Sequence, residues 1–204
     1  MSTDAPLPSL GAIFLAGGKS SRMGRDKGFV DFRGRPMAAW GLELLRSFTK
    51  DVLIVANREE YKAFGLPVVA DEYHDLGPLA GIVTGLRHSQ ADLNIVLSCD
   101  MPLMNVALIQ WMLESYDDEA AMVCRWEDRL QPLAGLYHKR ALPDFERLVE
   151  RRQLKISVAL EVVGAAVLEP DLYLPGFDAG WFRNFNTPGD LEQDSQNSQD
   201  LQDC

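Results

Sequence analysis

Apolar and polar positions along this chain follow two alternating periods. Ala12-Ile13-Phe14 reads as a buried strand, and Val52-Leu53-Ile54-Val55 is a short continuous apolar run suited to a buried parallel strand. Pro67-Val68-Val69-Ala70 predicts another strand, ending at Asp71, and Asn94 to Ser98 a further one, ending at Cys99-Asp100. Between these runs the period changes. Pro36 to Phe48 places Met37, Trp40, Leu44, Leu45 and Phe48 on one helical face. Glu59 to Phe64 predicts a short helix. Pro78 to His88 predicts a longer one, with Gly81 and Gly85 weighing against it. Asn105 is placed to cap a helix carrying Leu108, Ile109, Met112, Leu113 and Tyr116.

The second half of the chain is less regular. Ala120 to Cys124 and Leu133 to Tyr137 predict strands around a polar turn. Arg140 to Arg151 reads as a helix with Phe145, Leu148 and Val149 on one side. Ile156 to Val163 fits a helix or a strand, and Ala165 to Leu168 a strand. Trp181 to Phe185 is expected to be extended. Thr187 then caps a final helix, with Pro188 in its first position.

Strand and helix in alternation imply an α/β protein. The expected architecture is a three-layer, doubly wound, mostly parallel sheet of Rossmann-like form. Residues 1–191 are expected to form one domain, and 192–204 a polar tail too poor in apolar residues to pack. Ligands of such sheets bind beyond the carboxyl ends of the strands. Asp71, Asp100 and the loop after Phe14 all fall at predicted strand ends, so one sheet edge is expected to gather them.

Composition narrows the partners. Apolar residues make up 47% of the 204, enough for a real core. A formal net charge of −10 argues against broad binding to nucleic acid or to an anionic membrane surface. No apolar run approaches the ~20 residues that span a bilayer. Met1 to Leu10 lacks the basic and apolar segments of a secretory signal. Cys99, Cys124 and Cys204 form no metal-binding spacing, and so sparse an odd set suits a reducing cytoplasm. His74, His88 and His138 are scattered without zinc-ligand spacing. Cys99 is expected to be a small core thiol rather than a nucleophile.

The candidate chemistry begins at Leu15-Ala16-Gly17-Gly18-Lys19-Ser20-Ser21-Arg22-Met23-Gly24-Arg25-Asp26-Lys27. Glycines let backbone N–H groups approach an anion, and Lys19, Arg22, Arg25 and Lys27 bring positive charge to polyphosphate. The loop is not a Walker A motif, because the required first glycine falls on Ile13. Nor are Gly17, Gly18 and Gly24 spaced as a dinucleotide fingerprint.

The run Leu-Ala-Gly-Gly-x-Ser-x-Arg-Met-Gly-x-Asp-Lys resembles the signature of the molybdenum cofactor guanylyltransferases. That resemblance implies an enzyme transferring GMP from GTP to molybdopterin with Mg²⁺. Backbone groups of Leu15, Ala16, Gly17 and Gly18 would then meet the nucleotide. Arg22 and Lys27 would hold the triphosphate, while Lys19 and Arg25 sit where similar motifs vary. Cys99-Asp100-Met101-Pro102 resembles the family's strand-end Cys-Asp-x-Pro segment, which makes Asp100 the Mg²⁺ carboxylate and a nucleotide-binding residue. Asp71 occupies the family's guanine nucleotide position, and Gly77-Pro78-Leu79-Ala80-Gly81 matches a neighbouring segment. Asn184-Phe185-Asn186-Thr187-Pro188 resembles the C-terminal Asn-x-Asn-Thr-Pro run, which assigns Asn184 and Asn186 to the acceptor or to support of the metal.

One position departs from the pattern. Some relatives carry a nucleotide-binding Asn where this chain has Val55, ahead of Ala56-Asn57-Arg58, so that contact is missing or Asn57 replaces it. The expected substrates are GTP and molybdopterin. Transient contact with molybdenum cofactor synthesis or acceptor proteins fits the same role. A cytidylyltransferase, a sugar-1-phosphate nucleotidyltransferase and a non-catalytic nucleotide-binding module stay open as alternatives. Gly17 favours guanine, since the cytidylyl enzymes more often read Leu-Ala-Ala-Gly.

Overall fold

Residues buried on both sides build the centre of a seven-stranded sheet. The computed structural model describes residues 8–16, 26–73 and 76–200, with the side chains of 195–200 excepted. The sheet contains β1 (Leu10–Leu15), β4 (Val52–Val55), β5 (Val68–Val69), β6 (Leu93–Ser98), β7 (Ala121–Trp126), β8 (Arg129–His138) and β9 (Ala166–Leu168). Their spatial order is β5-β4-β1-β6-β8-β7-β9. β8 runs antiparallel to β6 and β7, while the other pairings are parallel. A separate two-stranded hairpin, β2 (Asp31–Phe32) and β3 (Arg35–Pro36), leads into the first helix.

The continuous apolar runs follow from burial on two faces. Phe14, Ile54, Ile95 and Leu97 point into one core, with Leu42 and Leu45 of α1 (Met37–Arg46) and Leu108, Ile109 and Met112 of α3 (Val106–Ser115). Ile13, Leu15, Val55 and Val96 point into the other. They meet Ile82, Val83 and Leu86 of α2 (Pro78–His88), Phe145 of α4 (Leu142–Glu150) and Leu160 of α5 (Ile156–Val162). Helices on both faces of a mostly parallel sheet give the expected three layers.

α2 keeps the span read from the pattern despite its glycines. A Cβ at Gly85 would collide with Ile13 of β1, so the missing side chain lets the helix lie close to the sheet. Asn105 caps α3 as expected, its Oδ1 accepting from Ala107 N at 2.8 Å.

Four segments depart from the sequence reading or add to it. β7 and β8 run on beyond the expected strands, to Trp126 and from Arg129. Their tight turn places Glu127 and Asp128 at φ 47° and 57°, the conformation of a two-residue hairpin turn. Between the Val123–Gly135 and Cys124–Gln131 pairs, β8 carries three extra residues, including Pro132, which has no N–H to give a ladder. Ile156–Val162 resolves the ambiguous run as helix. Trp181 and Phe182 are not extended. They lie in a 3-10 turn, Ala179–Phe182, because Asp178 Oδ1 caps Gly180 N at 2.8 Å.

The fourth is the C-terminus. α6 (Pro170–Tyr173) is followed, after that 3-10 turn, by α7 (Pro188–Asp200), which continues past Leu191, where composition alone ended the domain. Asp194 in α7 is buried and paired with Arg33, so a charge pair docks the helix where apolar content is low. The expected tail residues 201–204 lie outside the described residues.

Candidate active site

The strand register brings the expected residues to one edge. Leu15 pairs with Val55 and with Ser98, and Val55 pairs with Val69. The residues that follow leave the sheet together: Ala16, Ala56-Asn57, Ala70-Asp71 and Cys99-Asp100. β1 lies at the centre, with β4 and β5 on one side and β6 on the other. The strand order therefore reverses beside β1, the place where doubly wound sheets bind ligands. Ala16 N donates to Val55 O at 2.9 Å and Cys99 N to Leu15 O at 3.0 Å, which ties the three strand ends. Leu15 and Ala16 are buried here. The expected nucleotide contacts Gly17 and Gly18 and the cation Arg22 lie outside the described residues.

The chain is described again from Asp26, which organises the 3-10 turn Lys27–Phe29. Its Oδ1 accepts from Gly28 N at 3.0 Å and from the Tyr61 hydroxyl at 2.5 Å. Its Oδ2 faces Arg58 Nε at 3.4 Å. Tyr61 is fully buried, and burial, with the Cys99 and Asp26 groups nearby, pushes its hydroxyl well above the usual range. It therefore remains a donor. Gly28 leaves room for it, since a Cβ there would collide with the Tyr61 hydroxyl.

This turn aims Lys27 at the end of β6. Lys27 Nζ lies 3.4 Å from Asp100 Oδ2 and donates to Asn186 Oδ1 at 2.6 Å. The two charged side chains are only 17% and 16% exposed. Asp100 Oδ1 is buried and has no hydrogen-bond partner among the described residues. Phe185 N donates to Asp100 O at 2.9 Å, so the C-terminal segment is fastened to the Asp100 loop directly beside Asn186. Asp190 Oδ2 then accepts from Asn186 N at 2.7 Å and Thr187 N at 2.8 Å. Burial works to raise the Asp190 carboxyl, but those two amides, the Thr187 hydroxyl and Arg183 hold it below the usual range.

Thus three expected residues, Lys27, Asp100 and Asn186, meet. Asn184 does not join them: it is exposed, and its Nδ2 donates to Phe182 O at 3.2 Å. Asp71 sits three strands from Asp100 on the same edge, with Oδ1 accepting from Tyr73 N at 3.0 Å and the buried Thr84 hydroxyl at 3.2 Å. Asn57 Oδ1 accepts from Asp71 N at 2.9 Å. Val55 is packed in the core, so at this departure from the pattern Asn57 braces the Asp71 loop.

Cys99 is buried, and burial, together with the Asp100 charge, pushes its thiol up to about 12. It is a core thiol at neutral pH, as expected. The described residues contain no group of three or more His, Cys, Asp or Glu side chains able to hold a metal. No described helix is long and apolar enough to cross a membrane.

Asp26, Tyr61 and Asp190 were not singled out by the sequence reading. For Asp190 a signal existed: Thr187-x-x-Asp190 is a capping box, with Asp190 N donating to Thr187 Oγ1 at 3.4 Å. Tyr61 carried none, because its hydroxyl finds Asp26 only in the folded chain.

A lysine, a partly buried carboxylate and an amide gathered at the switch point of this sheet order are the architecture of a nucleotidyltransferase. Comparison with known proteins gives the family. Residues 12–163 match the MobA-like NTP transferase domain, and the chain belongs to that family. The molybdenum cofactor guanylyltransferase of Pseudomonas entomophila is 38% identical over 165 residues, 78% of this chain and 85% of that protein. The one from Vibrio campbellii is 35% identical over 190 residues, 90% of this chain and 94% of that protein. Among solved structures, molybdopterin-guanine dinucleotide biosynthesis protein A from Archaeoglobus fulgidus shares the fold. Its TM-score is 0.78 at 24% identity, covering 93% of this chain and 99% of that one.

Proposed function

We propose that this nucleotidyltransferase transfers GMP from GTP to the terminal phosphate of molybdopterin. The observation that carries the reading is the meeting of Lys27, Asp100 and Asn186 at the carboxyl end of β6, beside the switch point at β1. An oxygen of the acceptor phosphate attacks the α-phosphorus, the bond from that phosphorus to the bridging oxygen of the β-phosphate breaks, and pyrophosphate leaves. The acceptor phosphate is already ionised at neutral pH, so no protein base has to remove a proton.

The residues fit a hard divalent cation. Asp100 Oδ1 is a buried oxygen without a partner among the described residues, and Mg²⁺ is commonly held by one or two carboxylates with substrate phosphates and water completing its shell. Mg²⁺ held by Asp100 would neutralise phosphate charge and polarise the α-phosphoryl group. Lys27 lies beside the same carboxylate and stabilises the charge that develops on the departing phosphates. Asn186 fixes the Lys27 ammonium. Arg22 is assigned to the triphosphate, with the backbone of Leu15 to Gly18, from the loop signature. Asp71 accepts from the guanine N1–H and exocyclic amine, a donor pair that cytosine lacks.

Pyrophosphate release from GTP, molybdopterin and Mg²⁺ tests the reading. Turnover that requires all three, with GTP well ahead of CTP, is expected. Preference for CTP overturns the base assignment, and no release with any nucleotide and acceptor overturns the reaction.

A further inference from the structure

One buried carboxylate takes no part in the reaction above. Asp194, on the otherwise polar helix α7, is 5% exposed. Its Oδ2 accepts from Arg33 Nε at 2.9 Å and its Oδ1 from Arg33 Nη2 at 3.1 Å, a two-pronged pairing. Arg183 Nη1 stands 3.7 Å from the same Oδ1. Arg33 lies over the Phe32 ring at 5.2 Å and Arg183 over the Phe185 ring at 4.8 Å. The two rings meet edge-on with centroids 4.8 Å apart. A guanidinium therefore lies over each of the two rings, and Asp194 joins the two guanidiniums.

A buried ion pair is weak support for stability, because desolvation offsets much of the attraction. The forked pairing does fix geometry, since a planar guanidinium meets a carboxylate in one orientation. The parts it fixes belong to the site. Phe32 follows the turn that carries Lys27, with only a few residues between them. Phe185 donates its N–H to Asp100 O and immediately precedes Asn186, which accepts from Lys27. Arg33 has φ 53° in the tight β2–β3 turn, with Gly34 at φ 84° beside it, so the hairpin presents Arg33 on a short rigid lever. Without Asp194, two guanidiniums would remain close together beside the two rings.

We propose that Asp194 is a positioning residue. It clamps the Arg183–Thr187 segment to the β2–β3 hairpin and thereby sets the Asn186–Lys27 contact, which makes α7 part of the active-site framework. Its catalytic consequence rests on the reading of Lys27 and Asp100 as transfer residues; the clamp itself does not.

The test uses the full chain carrying Asp194→Asn. Hydrogen exchange followed by mass spectrometry reads residues 183–190 independently of turnover. Exchange about tenfold faster there, with β1 and β6 unchanged, is expected when a local clasp is released. Unchanged exchange at 183–190 overturns the proposal. Turnover then reports the coupling. Asp194→Asn is expected to lower kcat about tenfold, and the Asn186→Ala/Asp194→Asn double variant to be no slower than Asn186→Ala alone. An unchanged kcat, or losses that add in the double variant, overturns it. Should Asp194→Asn fail to fold, Arg33→Lys keeps the charge but loses the fork, and faster exchange in the same segment is again expected; no change overturns the clamp. Absence of pyrophosphate release in the unsubstituted protein would reject the reaction, while the exchange result would still decide the clamp.

Discussion

Lys27 and Asn186 stand 159 positions apart in the chain, yet the lysine ammonium donates to the asparagine carbonyl oxygen at 2.6 Å. The contact closes the site from both ends of the sequence. Asp26 and Tyr61 hold the lysine from one side, and Asp190 holds the asparagine backbone from the other. The ammonium is thus held from both sides, and on the proposed reading little reorganisation is needed when phosphate charge develops.

Asp100→Asn tests the carboxylate. The amide keeps the shape of the side chain, so unfolding temperature should stay near that of the unsubstituted protein. It removes the negative charge beside Lys27 and the anionic oxygen suited to Mg²⁺. Pyrophosphate release should fall roughly 10²–10³-fold, the scale seen when one preorganised electrostatic contact is lost. The stabilisation by GTP that depends on Mg²⁺ should disappear in a thermal melt. Retention of both would remove Asp100 from the metal role.

Tyr61→Phe tests the support beneath Lys27. Removing the hydroxyl takes one donor from Asp26 Oδ1, which still accepts from Gly28 N. The stability loss should be about 1–3 kcal/mol, the range for a buried polar group deprived of its partner. Urea unfolding measures it through the midpoint, with the slope unchanged. Turnover should fall as well, because the turn carrying Lys27 loosens. Full activity with full stability would mean that Asp26 needs only Gly28.

The strands around β1 were legible because burial on two faces leaves continuous apolar runs, as in Val52–Val55. Their common edge was legible too, and the register places Leu15, Val55, Val69 and Ser98 level. α2 matched its pattern although Gly85 argued against it, because the benefit of that glycine lies in Ile13 on another element. The β7–β8 hairpin was longer than the apolar pattern indicated, since Arg125, Glu127, Asp128 and Arg129 form a polar strand end that periodicity reads as loop. Asp194 was hidden for the same kind of reason. A carboxylate in a polar run resembles a solvated tail until Arg33, far away in sequence, is folded against it. At the site, motif resemblance pointed to Lys27, Asp100 and Asn186, which the fold brings together; Asp190 had a local capping-box signal, while the Asp26–Tyr61 contact is made only in three dimensions.

Gly28→Ala tests packing at the same turn. The added methyl would run into the Tyr61 hydroxyl, which is buried and bound to Asp26 and so has little freedom to withdraw. Overpacking of this kind costs about 1–3 kcal/mol. The loss should shrink in a Tyr61→Phe background, where the colliding oxygen is gone, and a double-mutant cycle by urea unfolding reads that coupling. Equal losses in the two backgrounds would place the strain elsewhere.

Acid sensitivity follows from Asp190. Its folded-state carboxyl is held below the usual value of 3.8, with burial opposing and the Asn186 and Thr187 amides prevailing. A group with a depressed folded pKa contributes stability that is fully present above its unfolded value and is lost as pH falls through the folded one. The Asp190 contribution should therefore be constant from neutrality down to about pH 4, and disappear at lower pH as the carboxylate protonates and the two amides lose their anionic acceptor. In Asp190→Asn the urea midpoint should be lower at neutral pH, and the gap from the unsubstituted protein should narrow below the usual carboxylate range. A gap that stays constant through the acid range would show that the Asp190 charge is not what holds Asn186 in place.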